Sequence, residues 1–231
     1  MIAKIIKFII GLGMVPAVVA VVLCLYEQIG RIKLIQNSEN YFIWGVWAYI
    51  IFDLLLLRPK GVYVFGHEAT HAMVVWIFGG RVTSFKASAK GGGVTATKSN
   101  FIINLAPYFI PFYTVLVCLF YFILARFFSM DEHTNWFLFI IGLTLIFHIV
   151  LTVDTLKTKQ PDLAATGYLF SLSLIILINA VIIILIFSGL FESISAREFF
   201  IGAAERTKEY YRAAFEYLFG MKWAAAMTNV K

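Results

Sequence analysis

The sequence predicts an all-α polytopic membrane protein with about six transmembrane helices and a short membrane-associated β-hairpin or loop after the third helix. Of its 231 residues, 61% are hydrophobic and only 14% are charged, whereas soluble domains carry about 25% charged residues. Mean hydropathy is +0.86. Uncharged runs also recur that reach or approach the roughly 20 residues needed to cross the hydrocarbon layer. We therefore expect a multi-pass integral membrane protein embedded in a lipid bilayer.

Six apolar runs account for the predicted helices. The longest cover residues 8–26, 101–125 and 163–191, and the shorter ones cover residues 41–57, 62–78 and 136–153. Asp53 lies inside the run 41–57, so we expect it to face the protein interior. Asn104, Pro107 and Pro111 predict a kink in the first turns of the run 101–125, because proline cannot donate a helical hydrogen bond.

Residues 81–100 interrupt the helical pattern after the third run. That run ends at Gly79 and Gly80, which suit a helix C-terminus. The next segment, RVTSFKASAKGGGVTATKSN, shows partly alternating Thr, Val and Phe and three consecutive glycines. This pattern is typical of a short β-hairpin or looped sheet. At membrane depth its backbone would have to be covered by protein or line a wet cavity.

Three regions are predicted along the chain: N-terminal transmembrane helices in residues 1–60, a membrane core in residues 61–191 and a C-terminal tail in residues 192–231. The tail mixes charged and aromatic residues, which favours an amphipathic helix that lies on the membrane or docks a partner protein or a second copy. A solvated tail helix without a special role is the alternative.

The net charge of +6 does not indicate a nucleic-acid partner, because the basic residues lie mostly in loops and in the tail, as in other membrane proteins. With six spans, the side that holds both termini carries Lys4, Lys7, Arg58, Lys60 and Arg126, together with the tail. The opposite side carries Arg31, Lys33, Arg81, Lys86, Lys90, Lys98, Lys157 and Lys159. Neither side clearly dominates, so the sequence leaves the orientation open.

The run 62–78 carries the motif H-E-A-T-H at residues 67–71. Residues four apart lie on one face of a helix, so His67 and His71 are placed to bind one metal ion. Glu68 is positioned to take a proton from a metal-bound water without being a ligand. This is the H-E-x-x-H pattern of zinc hydrolases, in which Zn²⁺ lowers the pKa of its bound water to about 7. Because ionisable residues in a span are costly and rarely kept without function, we prefer a metal site to polar packing.

A catalytic zinc site takes a third protein ligand. The sequence offers His133, His148, Asp53, Asp131, Asp154 and Asp162. Alternating spans place His133 and Asp131 away from the C-terminal end of the motif helix. Asp154 and Asp162 bracket a short polar segment on the same side as residues 81–100. Asp162 would equally serve as the N-cap of the last long helix, and His148 is expected to be a core histidine.

These features resemble the site-2 proteases, a family of intramembrane zinc metalloproteases. The resemblance covers about half the chain and rests on H-E-A-T-H at 67–71, F-G-G-R-V at 78–82, G-G-G-V-T at 91–95 and Pro161-Asp162 before a long apolar run. It implies that His67, His71 and Asp162 bind Zn²⁺, with Asp154 as the alternative third ligand. It also implies that Glu68 is the catalytic residue, and that the β-like loop offers an edge to which an unwound substrate helix adds as a strand.

Three positions depart from the pattern of that family. Thr70 stands where many relatives have glycine, and Gln160 and Leu163 flank Pro161-Asp162 where asparagine and glycine are common. An unwound turn around Asp162 is therefore less assured than the histidine pair.

Two functions follow as hypotheses. In the first, which is the leading hypothesis, the protein is a zinc metalloendopeptidase that hydrolyses peptide bonds of membrane-anchored protein substrates, with a zinc-bound water activated by Glu68 as nucleophile. In the second, it is a catalytically inactive, protease-like scaffold or subunit of a membrane complex. The altered surroundings of Asp162 and the aromatic tail favour the second somewhat.

Overall fold

The computed structural model describes residues 2–32, 39–55 and 58–220 and is 77% helical. In chain order its elements are α1 (Ile2–Ile29), α2 (Glu39–Leu55), α3 (Lys60–Ile77), β1 (Val82–Ser88), β2 (Gly91–Ala96), α4 (Phe101–Leu105), α5 (Phe112–Leu124), α6 (Thr134–Leu156), α7 (Pro161–Thr166), α8 (Tyr168–Leu190) and α9 (Ala196–Phe219). They form two compact units, one of Met1–Lys33 with Gly167–Lys231 and one of Leu34–Thr166. These units cut across the predicted boundaries at residues 60 and 191, which stay a prediction.

Three of the described helices are long and apolar enough to cross a membrane, namely Lys4–Ile29, Thr134–Leu156 and Tyr168–Leu190. The pair Phe101–Tyr108 and Phe112–Leu124 would add a fourth span, but its halves are bent by 80°. The predicted kink in this run is thus confirmed, and the membrane character of the chain is supported. The count of six spans is not confirmed.

The packing of α2 on α6 disagrees with six alternating spans. Along the pair, Gly45 lies against Phe139, Tyr49 contacts Phe147 with ring centroids 5.4 Å apart, and Arg58 bridges Asp53 to Asp154. The two helices therefore run parallel. Six alternating spans would make them the second and the fifth, which are antiparallel. If α2 and α6 both cross, one segment between them does not cross; the pair bent by 80° is either a broken span or a re-entrant loop.

The motif helix α3 starts after Pro59 and ends at Ile77, just before Gly79 allows the chain to turn sharply. Gly79 has φ +67°, and its N–H donates to the Trp76 carbonyl at 2.8 Å. The predicted helix end is confirmed. Glycine is favoured at this position because a side chain strains the left-handed conformation.

Strands β1 and β2 form the predicted hairpin as an antiparallel pair. The hairpin lies along α3. Phe85 of β1 contacts Phe65 of α3 with ring centroids 5.9 Å apart, and the strand-connecting residue Ala89 lies beside Gly61 at the start of α3. The hairpin thus places β2 alongside the H-E-A-T-H turns.

The last apolar run is not a single helix, which corrects the expectation for Asp162. Gly167, with φ +104°, separates α7 from α8. Asp162 lies in the first turn of the short α7, after Pro161 at its first position. Asp162 is therefore inside a short helix and is not the N-cap of the long helix, because Gly167 separates the two helices.

In the other unit, α9 begins at Ser195, whose hydroxyl oxygen accepts from the Glu198 N–H. It packs antiparallel to α1: Glu198 pairs with Arg31 near one end of α1, and Tyr211 O–H donates to the Gly13 carbonyl further back. The predicted tail helix is confirmed and docks on the chain's own first helix. Residues 221–231 lie outside the described part, and binding to a membrane surface or a partner stays a prediction.

Candidate metal centre

Two histidines of α3 and one aspartate of α7 converge in the unit Leu34–Thr166. Oδ2 of Asp162 lies 3.6 Å from His71 Nε2 and 3.9 Å from His67 Nε2. One ligand atom of each residue lies within 4.8 Å of the others. Ligands about 2 Å from one tetrahedral zinc ion are about 3.3 Å apart, so small side-chain adjustments would bring all three onto one ion.

The orientation of His71 is set by a proline. Pro107 has no N–H to donate to the carbonyl of Ile103, four residues earlier, so that carbonyl is left free by the helix. His71 Nδ1 lies 2.8 Å from this oxygen. With its proton on Nδ1, the ring donates to the carbonyl and turns an unprotonated Nε2 toward Asp162. This is the hydrogen-bond arrangement typical of metal-binding histidines.

Asp162 is held by a buried tyrosine. The Tyr108 hydroxyl donates to Asp162 Oδ2 at 3.2 Å, and Tyr108 is 0% exposed. Burial raises the pKa of the Asp162 carboxyl, but the adjacent imidazoles of His67 and His71 outweigh burial and hold the pKa well below its usual range. The carboxylate is thus kept ionised, as a metal ligand must be.

Glu68 is covered by the hairpin. Its side chain is 7% exposed, and a Cβ built on Gly92 of β2 would lie 2.7 Å from Glu68 Cγ and 2.6 Å from the Lys86 carbonyl oxygen. Only a glycine lets β2 approach α3 this closely. Glu68 is not one of the three clustered ligands and lies directly beside His67 in sequence.

A cavity of about 720 Å³ reaches all four residues and is walled on one side by β2. This is within the usual range for ligand pockets. Lys60, Lys90 and Gln160 also line it, and their polar groups make it a space that water can enter. The carboxylates and imidazoles therefore face a wet cavity even though they lie among apolar helices.

The remaining candidate ligands that the structure describes are not part of this cluster, although Asp154 lines the same cavity. Asp154 pairs with Arg58 at 3.0 Å and Asp53 pairs with Arg58 at 3.3 Å, so both carboxylates are engaged by one guanidinium. His133 is exposed at the start of α6. His148 is buried, and the Asp131 side chain lies outside the described part. Among the described residues, only His67, His71 and Asp162 form a cluster that could hold a metal ion.

The donor set fits a transition metal. Two imidazole nitrogens and one carboxylate oxygen match the three-protein-ligand sites of catalytic zinc, and imidazole also suits copper, iron and nickel. The geometry therefore supports a metal site without specifying the ion.

Three contributors to this centre were missed by sequence reasoning. Tyr108, the Ile103 carbonyl and Gly92 each touch a site residue only through the bend or the hairpin. The signals in the sequence are Pro107 inside an apolar run and the three consecutive glycines, which on their own indicate only a kink and a loop.

Comparisons of the chain with protein-family models, with curated proteins and with solved structures found no match. The centre is thus characterised by its own residues: three side chains that could hold a metal ion, a buried glutamate beside them and a cavity that reaches all four.

Proposed function

We propose that this protein is an intramembrane zinc metalloprotease that cleaves membrane-anchored protein substrates. The observation that carries the proposal is the convergence of His67, His71 and Asp162 in one cluster, with Glu68 next to it and a single cavity reaching all four. The three apolar helices of the chain support a membrane setting for this chemistry.

His67, His71 and Asp162 would hold the metal. We prefer zinc because two histidines, one carboxylate and an open fourth position are its usual catalytic ligand set, and because H-E-x-x-H supplies a general base beside it. When bound, zinc would supply Lewis-acid activation of water near neutral pH.

Glu68 is the group that would move the proton. It is adjacent to His67 on α3, it lines the cavity, and it is buried against Gly92 of β2. A positioned general base contributes about 10²- to 10⁴-fold to a rate. Glu68 would accept a proton from the attacking water and return it to the leaving amine.

Strand β2 would bind the substrate backbone. It pairs with β1 on one side only, and no third strand joins the sheet within residues 2–32, 39–55 and 58–220. All six β2 residues line the cavity. Its free edge therefore offers N–H and C=O groups to an extended segment, next to Glu68.

The test compares wild type with Glu68→Gln, and uses Glu132→Gln on an exposed loop as the matched control. Each is expressed in membranes, its zinc content is measured after purification, and new protein N-termini within membrane-spanning segments are mapped by mass spectrometry. We expect about one zinc per chain in all three proteins. New termini should appear with wild type and Glu132→Gln and disappear with Glu68→Gln.

Two outcomes would contradict the proposal. Wild-type protein without zinc, in detergent and in lipid, excludes both the metal and the reaction. Zinc without any termini that depend on Glu68, together with unchanged biological activity of Glu68→Gln, would identify the inactive scaffold instead.

A further inference from the structure

Two buried histidine nitrogens lack protein partners. His67 Nδ1 and His148 Nε2 are both shielded from solvent and make no hydrogen bond to any atom of the described residues, including each other. Buried polar groups are normally hydrogen-bonded, so each of these atoms calls for a partner. The need is stronger for His67, because a metal on its Nε2 would fix the proton on Nδ1 as a donor.

Both histidines line the same small cavity. The volume open to the centre of a water molecule is about 10 Å³, which is room for a single water. The walls are otherwise mostly aromatic or apolar, and include Tyr63, Phe112, Tyr113 and Phe147. A water here would meet few competing polar partners.

Thr70 supplies a third partner. Its hydroxyl donates to the Gly66 carbonyl at 2.8 Å, which leaves the oxygen lone pairs able to accept. Thr70 is 1% exposed and lines the cavity. A buried water typically makes about three hydrogen bonds, and this site offers three.

We propose that this cavity is a binding site for one structural water that links His67 to His148, which makes His148 a positioning residue for the metal centre. The water accepts from His67 Nδ1–H and donates to His148 Nε2 and to Thr70 Oγ1. It thereby gives His67 what the Ile103 carbonyl gives His71: an acceptor that fixes the proton on Nδ1 and turns Nε2 to the metal. This inference rests on the proposed metal site.

The test is a zinc competition titration on wild type, His148→Leu, His148→Gln and His133→Leu. Leucine removes the acceptor but packs well in an apolar cavity, whereas the glutamine carbonyl can replace Nε2 as acceptor. We expect His148→Leu to bind zinc about 10- to 100-fold more weakly than wild type. His148→Gln should stay within about threefold of wild type, and His133→Leu, the same change on the exposed loop, should have no effect. A merely structural role for His148 predicts that leucine is tolerated at least as well as glutamine.

The outcomes separate the two proposals. If wild type binds no zinc, the metal site itself is wrong. If wild type binds zinc and His148→Leu binds it equally well, the water link is wrong. If His148→Leu does not fold, an experimental structure of wild type at a resolution that shows waters decides: a water within hydrogen-bond distance of His67 Nδ1 and His148 Nε2 supports the link, and a dry cavity overturns it.

Discussion

Pro107 sets the orientation of His71, a candidate metal ligand, although it is not one of the candidate ligands itself. Because Pro107 has no N–H, the Ile103 carbonyl has no helical partner, and His71 Nδ1 is hydrogen-bonded to it instead. Tyr108, the next residue, reaches Asp162. Two consecutive residues therefore orient two of the three candidate ligands, which explains why a kink in an apolar run lies beside the H-E-A-T-H helix.

At the residue scale, Tyr108→Phe should weaken zinc binding while leaving the fold intact. The change removes only the hydroxyl that donates to Asp162 Oδ2, and losing such a partner of a metal ligand typically costs about 10- to 100-fold in affinity. Competition with a chelator of known affinity measures it. Tyr121→Phe, which loses a hydroxyl paired with Thr134, is the control, and equal affinities in the two variants would refute the role of Tyr108.

Gly92→Ala should reduce proteolysis by about 10- to 100-fold, because small displacements of a catalytic group are costly. An added methyl would press on Glu68 Cγ and on the Lys86 carbonyl, and the backbone cannot yield as a side chain can. Gly189→Ala in α8 also places its methyl in open space, away from the cavity, and serves as the control. Zinc content should be unchanged in both variants; loss of zinc from Gly92→Ala would show that the hairpin supports the ligands instead of Glu68.

At the scale of elements, the bend between α4 and α5 is as important as the motif helix. Asn100 caps α4 by accepting from the Ile103 N–H at 2.8 Å, and the chain then turns by 80° before α5. This short capped helix places the free Ile103 carbonyl beside His71, and the turn that follows it places Tyr108 beside Asp162.

Pro107→Ala tests this element. Alanine restores an N–H that can bond to the Ile103 carbonyl and extend α4, so His71 would lose its acceptor. We expect about a tenfold loss of zinc affinity, measured as above. Pro16→Ala, which removes the proline inside α1, should leave affinity unchanged. If Pro107→Ala also binds zinc like wild type, the carbonyl is not what orients His71.

Sequence patterns predicted the elements that are governed by local chemistry. The helix that carries His67 and His71, its glycine end and the hairpin after it all follow from spacing and turn residues. The break at Gly167 and the fit of Gly92 against Glu68 do not, because a single glycine in an apolar or glycine-rich run has the same local signal whether or not another element packs on it. The preference for Asp162 over Asp154 comes from the family resemblance; the pairing of Asp154 with Arg58, which lies far from it in the chain, has no local signal.

At the scale of the molecule, the parallel packing of α2 and α6 changes the expected topology. Tyr121 at the end of α5 stacks on Phe137 near the start of α6 with centroids 3.9 Å apart, so Arg126 lies at that end. Lys157 lies at the other end of the 23-residue α6, about 34 Å away. Hydropathy identifies the apolar runs correctly, but it does not show which of these runs cross the membrane.

Cysteine labelling tests this topology. In a background without Cys24 and Cys118, Lys60→Cys and Lys157→Cys should react with an impermeant thiol reagent from the same side, since Arg58 beside Lys60 pairs with Asp154. Arg126→Cys should react from the opposite side. Six alternating spans predict instead that Lys60→Cys and Arg126→Cys share a side, so labelling in that pattern would restore the six-span arrangement.

The central claim is that one zinc ion is held by His67, His71 and Asp162. Its most direct test is zinc content and X-ray absorption spectroscopy of the purified protein, with Asp162→Ala and Asp154→Ala in parallel. We expect about one zinc per chain with two imidazole ligands in wild type, the same in Asp154→Ala, and loss of most zinc in Asp162→Ala. A wild-type protein that holds no zinc, or zinc lost only in Asp154→Ala, would contradict it.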